Sequence, residues 1–239
     1  MADLNYLDRN VETVRKEIAE TTVSCGRTDP PCLLAAVKYT GVDEINYMHT
    51  RLGIHDIGEN RVQQLLERWD KLEDRDHLNV HFIGTLQKNK VKYIIDKVCL
   101  IHSVDNLDLA AEIDKRARQH GKIMDVLVEI NSGSEESKSG VLPENAEALC
   151  RDLTRFPNIS LRGFMTMAPK CEKSEDYLRF FGETSRLCLD IWYKKLDNII
   201  APVLSMGMSD SYREAIRCGA TVVRIGRQLF RNPEADMNQ

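Results

Sequence analysis

This 239-residue sequence has no apolar run approaching the roughly 20 residues that cross a bilayer, so no membrane span is expected. It also lacks a basic surplus: 33 Lys and Arg stand against 37 Asp and Glu, a net charge of -4. Phosphate backbones are held by excess Lys and Arg, so nucleic acid is not expected as a partner. The six histidines form no HExxH, and the seven cysteines are odd in number, scattered and without a CxxC pair. Those gaps argue against a zinc site and a disulfide framework, so no metal is expected and the thiols read as reduced. The first twenty residues carry neither a basic leader nor an apolar signal core. A cytoplasmic protein is the expectation. No GxGxxG turn follows the first strand candidate, and no Pro/Gly/Ser-rich linker divides the chain.

What is present is alternation. Leu4, Leu7, Val11, Val14 and Ile18 fall at helical spacing and predict an extra N-terminal helix within residues 1–25. Short apolar runs then recur at 33–38, 54–58, 80–84, 99–104, 125–131, 160–167, 202–207 and 221–226. Between them lie helical stripes: Val62, Leu65, Leu66, Trp69 and Leu72; then Val91, Ile94, Ile95 and Val98. Ala146, Leu149, Leu153 and Phe156 form a third, and Tyr177, Phe181, Cys188 and Trp192 a fourth. Strands alternating with helices pair in parallel, and eight of them in this length predict a (β/α)8 TIM barrel over 33–232. The whole chain, 1–239, reads as one α/β domain; a doubly wound open sheet is the runner-up.

In such barrels chemistry collects at the C-terminal strand ends. There the sequence sets Lys38, the Gly58-Glu59-Asn60 run, His81, Gly84, Ser103, Asn131, Met165, SMGMS (205–209) and Arg224-Ile225-Gly226. Lys38 follows five uncharged residues, and a lysine inside a protein needs a partner. After the seventh strand, Gly207 allows unusual backbone, and Ser211 with Glu214 fits a capping box, so a helix starts there with free N–H groups. Gly226 after the eighth strand offers more, and together these loops read as a phosphate cradle. Strand alternation sets Arg224 opposite Val223 and Ile225, facing the lumen unless it snorkels outward between helices. The loop 132–140 reads as a mobile surface segment or a lid. His55, His81 and His102 read as hydrogen-bonded core residues, and His49, His77 and His120 as solvated. A lysine facing a phosphorylated ligand forms either an ion pair or a Schiff base with a carbonyl. The cofactor that joins an aldehyde to a phosphate is pyridoxal 5'-phosphate (PLP).

AAVKY (35–39), GEN (58–60), HFIGTLQKNK (81–90), IHSVD (101–105), EIN with ESKSG (129–131 and 136–140), RGFMTM (162–167), LSMGMSD (204–210) and VRIG (223–226) stand in a set order. Over nearly the whole chain these segments resemble the YggS-like PLP homeostasis (PLP-binding) proteins, whose barrel is like the alanine racemase N-terminal domain. The resemblance implies a monomer with Lys38 as Schiff-base lysine. It implies Gly207, Ser209, Gly226 and the backbone of Met208 and Arg227 as the phosphate cradle, and Arg224 as partner of the pyridine nitrogen. Asn60, His81, Ser103 and Met165 would surround the ring, and Lys138 would be a second lysine near the mouth. The chain departs from the family's pattern at Ile57, Ser211 and Arg227.

Arginine stays protonated and so faces an unprotonated ring nitrogen, leaving the ring a weak electron sink. Racemases of this design also take a base from a second domain, for which this length leaves no room. The expected role is therefore a carrier that holds PLP and supplies apo-enzymes, with catalysis weak or absent. A PLP-dependent racemase acting from the barrel alone and a sugar-phosphate enzyme with Lys38 as an ion-pair partner are the competing readings.

Overall fold

Eight short parallel strands pair edge to edge, first with last, into a closed barrel. The structure, a computed structural model, describes residues 4–133, 139–196 and 200–232. Its strands are β1 (Cys32–Ala36), β2 (Asp56–Glu59), β3 (Asn79–Phe82), β4 (Leu100–Val104), β5 (Met124–Ile130), β6 (Ile159–Thr166), β7 (Val203–Ser205) and β8 (Val222–Ile225). Closure rests on the β1–β8 register, which runs from Cys32 opposite Val222 to Ala35 opposite Ile225. The barrel predicted from alternation is the one observed.

The described helices are α1 (Asn5–Ser24), α2 (Val42–Leu52), α3 (Val62–Trp69), α4 (Leu107–Gln119), α5 (Pro143–Leu153), α6 (Ser174–Asp190), α7 (Tyr212–Arg217) and α8 (Arg227–Phe230). One predicted helix is missing. Val91, Ile94, Ile95 and Val98 are all buried, but they sit in and after a 3-10 segment, Lys88–Tyr93. A short 3-10 turn also brings positions three apart to one face, so the spacing buried its residues without an α-helix. Among the described residues no helix is long and apolar enough to cross a membrane.

Strand alternation divides the apolar residues into two layers. Ala35, Ile57, Phe82, Ile101, Val126, Val128, Val223 and Ile225 face outward and join the helices in one continuous core. Leu34, Ile83 and Val222 fill one part of the lumen, and Leu100, Leu127 and Met165 another. Helix α1 buries Leu7, Val11, Val14 and Ile18. Asn10 Nδ2 donates to the Leu229 carbonyl at 2.8 Å, and Tyr212 donates its hydroxyl to Glu17, so α1 clamps the α7–α8 side.

Candidate functional site

The β1 strand ends at Ala36, two residues short of the predicted end, and Lys38 lies in the following turn. The half-buried Lys38 sets its Nζ 4.8 Å from the centre of the exposed Tyr39 ring. Helix α3 braces this turn from behind. Arg68 donates to the Val37 carbonyl at 3.0 Å and the Thr40 carbonyl at 2.6 Å, and Gln64 donates to the Lys38 carbonyl at 3.2 Å. Arg68 is itself held by Glu59, fully buried on the outer face of β2, at 2.8 Å. Burial raises the Glu59 carboxyl above its ordinary range, and the Arg68 cation opposes that rise. Nothing in the sequence pattern pointed to Arg68 or Gln64, because the contact joins a helix to a turn 28 residues away.

Beside this turn on the rim, because β8 pairs with β1, the loops after β7 and β8 meet. Gly207 has φ +86, and a Cβ there would press on Ala215 and Tyr212. Its carbonyl accepts the Arg224 N–H at 3.1 Å. Ser209 Oγ accepts the Gln228 N–H at 3.3 Å and so ties the two loops together. Among the described residues the N–H groups of Ser209, Gly226 and Arg227 find no protein acceptor. The Met208 N–H is committed to Ser211 Oγ at 3.3 Å. The predicted capping box is absent: Ser211 precedes α7 without capping it, and Glu214 accepts instead from Ser174 Oγ at 2.7 Å. With α7 six residues long and α8 four, the anion-binding capacity lies in local N–H groups and Ser209 rather than in helix dipoles. The Arg227 side chain turns outward to pair with Asp210.

Arg224 is inside the barrel, 4 % exposed, and does not snorkel outward. It donates to the Ser205 carbonyl at 2.6 Å, Ser205 Oγ at 2.7 Å and the Thr166 carbonyl at 2.9 Å. Burial lowers its pKa to about 10, opposed by the Glu129 carboxylate, so it keeps its charge at neutral pH. Glu129, buried on β5, is pushed up to about 7 by burial and by Asp105, against the pull of Arg224. Met165 is 1 % exposed in the lumen, and Ser103 Oγ is buried with no hydrogen-bond partner among the described residues. Asn60 follows β2, where its carbonyl would collide with any Cβ at Gly84. His81 sits deeper, bonded at one nitrogen to His102 and at the other to Asp56. His49 corrects the sequence reading: it is 2 % exposed and shares a 3.0 Å bond with His55 rather than being solvated. Lys138 lies outside the described residues; beside that segment, Ser139 meets Thr85 at 2.9 Å.

The profile of the alanine racemase N-terminal domain family matches residues 2–232. A pyridoxal phosphate homeostasis protein of Aquifex aeolicus is 41% identical over 227 residues, covering 95% of this chain and 98% of that one. The structure of PipY from Synechococcus elongatus with PLP bound superposes with a TM-score of 0.77 at 28% identity, over 90% of this chain and all of PipY. A Clostridium difficile alanine racemase, 18% identical, shares the fold at a TM-score of 0.73, over 96% of this chain and 58% of the racemase.

Proposed function

This chain belongs to the alanine racemase N-terminal domain family, among its pyridoxal phosphate homeostasis proteins, and from that membership we propose that it binds PLP at the barrel mouth and serves as a PLP carrier. When bound, PLP supplies an aldehyde that condenses with a lysine amine to a Schiff base, and a ring that withdraws electrons. The residues present fit that group. Ser103 Oγ is an orphaned buried hydroxyl near the C-terminal end of β4, and the N–H groups of Ser209, Gly226 and Arg227 await an anion. The single observation that carries the reading is their placement on the rim beside the Lys38 turn, with the buried Arg224 guanidinium in the lumen.

Lys38 supplies the amine, held in position by the Arg68 and Gln64 bonds to its turn. Ser209 and the free N–H groups hold the phosphate; the Arg227 side chain, drawn to Asp210, leaves only its backbone to that task. Arg224 would donate to the ring nitrogen and keep a proton off it, since a guanidinium charged at neutral pH cannot accept a hydrogen bond. The ring thereby stays a weak electron sink, which favours holding and releasing the cofactor over turnover. Supply of PLP to apo-enzymes, a monomeric state and a cytoplasmic location complete the reading.

Adding PLP to the protein gives a visible absorption band that borohydride bleaches as it fixes the cofactor onto the Lys38 peptide, and Lys38→Ala loses both band and label. A protein that PLP neither colours nor labels defeats the proposal. Exchange of α-hydrogen for deuterium in supplied amino acids, lost in Lys38→Ala, would establish a racemase-type enzyme instead.

A further inference from the structure

Across the floor of the mouth runs an unbroken line of polar side chains that, Arg224 apart, the cofactor reading does not use. Arg224 donates to Ser205 Oγ at 2.7 Å, and Ser205 Oγ meets His102 Nδ1 at 3.0 Å. His102 Nε2 meets His81 Nδ1 at 3.0 Å, and His81 Nε2 meets Asp56 at 3.1 Å. His102 and Ser205 are fully buried. Asp56, 28% exposed, lines a groove of about 420 Å3 with Cys32 and His55 at the N-terminal end of the barrel. The line therefore joins solvent at the base to Arg224 at the mouth.

The end groups restrict how protons can lie along it. Arg224 only donates and ionised Asp56 only accepts. With both histidines neutral, one arrangement satisfies every bond. Ser205 donates to His102 Nδ1, His102 donates from Nε2 to His81, and His81 donates from Nε2 to Asp56. One more proton on His81 reverses this order. Charged His81 donates from both nitrogens, so His102 must accept at Nε2 and carry its proton on Nδ1. Ser205 Oγ then receives from His102 and Arg224 together, and its own hydroxyl proton is displaced from the chain. In the first state the donated hydroxyl makes Ser205 Oγ a better acceptor for Arg224, and in the second that acceptor is shared.

We propose that Asp56, His81, His102 and Ser205 form a positioning relay, through which a proton gained or lost at the barrel base sets the hydrogen bonding of Arg224 at the mouth. Its consequence for the pyridine nitrogen rests on the PLP reading above, but the relay itself belongs to the protein alone. The charges facing the histidine pair are Asp56 of β2, with Cys32 of β1 against it, Cys99 at the start of β4, and Arg224 of β8, itself beside Glu129 of β5. Burial works against charge on His81, but Asp56 and Cys99 overcome it and push its pKa up to about 9. Burial, with the neighbouring cations, holds His102 well below the ordinary histidine range. The extra proton thus resides on His81 at neutral pH.

The test is long-range proton–nitrogen NMR of ligand-free protein labelled with 15N-histidine, titrated from about pH 6 to about pH 10. The expected result is that His102 stays neutral throughout but moves its proton from Nδ1 to Nε2 as His81 deprotonates. Asp56→Asn should move both changes together to lower pH, by a tenfold or greater loss of proton affinity. A His102 tautomer that ignores the His81 titration, or a transition that Asp56→Asn leaves in place, overturns the relay. The wild-type titration needs no variant, so a folding defect in Asp56→Asn does not obscure the answer. In protein loaded with PLP, the absorption band should shift with the same transition. If the tautomer exchange is present and PLP does not bind, the relay stands and the cofactor reading falls.

Discussion

At the scale of single residues, Lys38 and Arg224 were legible because each breaks a pattern: a charge after an apolar run, and a charge within one. Ser209 was legible as part of the SMGMS run and took its phosphate role only by resemblance, and its geometry makes it testable. Ser209→Ala removes one hydroxyl donor to an anion, worth about 1.5–3 kcal/mol, so the PLP dissociation constant should rise by roughly 10- to 100-fold in a spectrophotometric titration. Glu129 and His81 were visible as letters but not as titrating groups, since only the fold shows what surrounds them. Burial raises Glu129 to about 7, so its contribution to stability is complete below the ordinary carboxylate value and is lost as pH rises through 7. Glu129→Gln should therefore be nearly neutral at pH 4 and stabilising at pH 8, by up to about 3 kcal/mol in urea denaturation. For His81, raised to about 9, stability is complete below about pH 6.5 and lost as pH rises through 9. His81→Gln should cost most in mildly acidic buffer, and the difference should shrink above pH 9.

At the scale of elements, apolar periodicity found all eight strands, because alternation and burial are local properties of the chain. It overextended β1 to residue 38, where the observed strand stops at Ala36. That stop matters, since a turn can be braced from outside and a strand end cannot be moved freely. The brace is Arg68, between buried Glu59 and the carbonyls of Val37 and Thr40. Arg68→Met would leave Glu59 buried and unpaired, at a cost of roughly 3–5 kcal/mol. It should also speed amide exchange at residues 38–40 and slow covalent attachment of PLP to Lys38. Unchanged exchange there would mean that the turn holds its shape without α3. Ser211 and Glu214 show the opposite error, in which a valid local signal was overridden. Glu214 was drawn to Ser174 at the start of α6, a partner 40 residues away.

For the whole molecule, closure is the deciding fact. It creates an inside, and Leu34, Ile83 and Val222 fill it from β1, beyond β3 and β8, three distant parts of the chain. Leu34→Ala should cost about 2–5 kcal/mol by thermal or urea unfolding, because a packed lumen cannot collapse onto the space. The sequence by itself determined the strand count, the parallel barrel, and the lysine and the glycine loops at the C-terminal strand ends. Those follow from hydrophobic spacing and from backbone freedom, which act over a few residues. Only the tertiary structure decided which polar groups meet: Arg68 behind the Lys38 turn, the free N–H groups of two loops side by side, and Asp56 joined to Arg224 through two histidines and a serine. Hydrogen bonds and buried charges are set by distances of about 3 Å between residues far apart in the chain, and only the closed barrel fixes those distances.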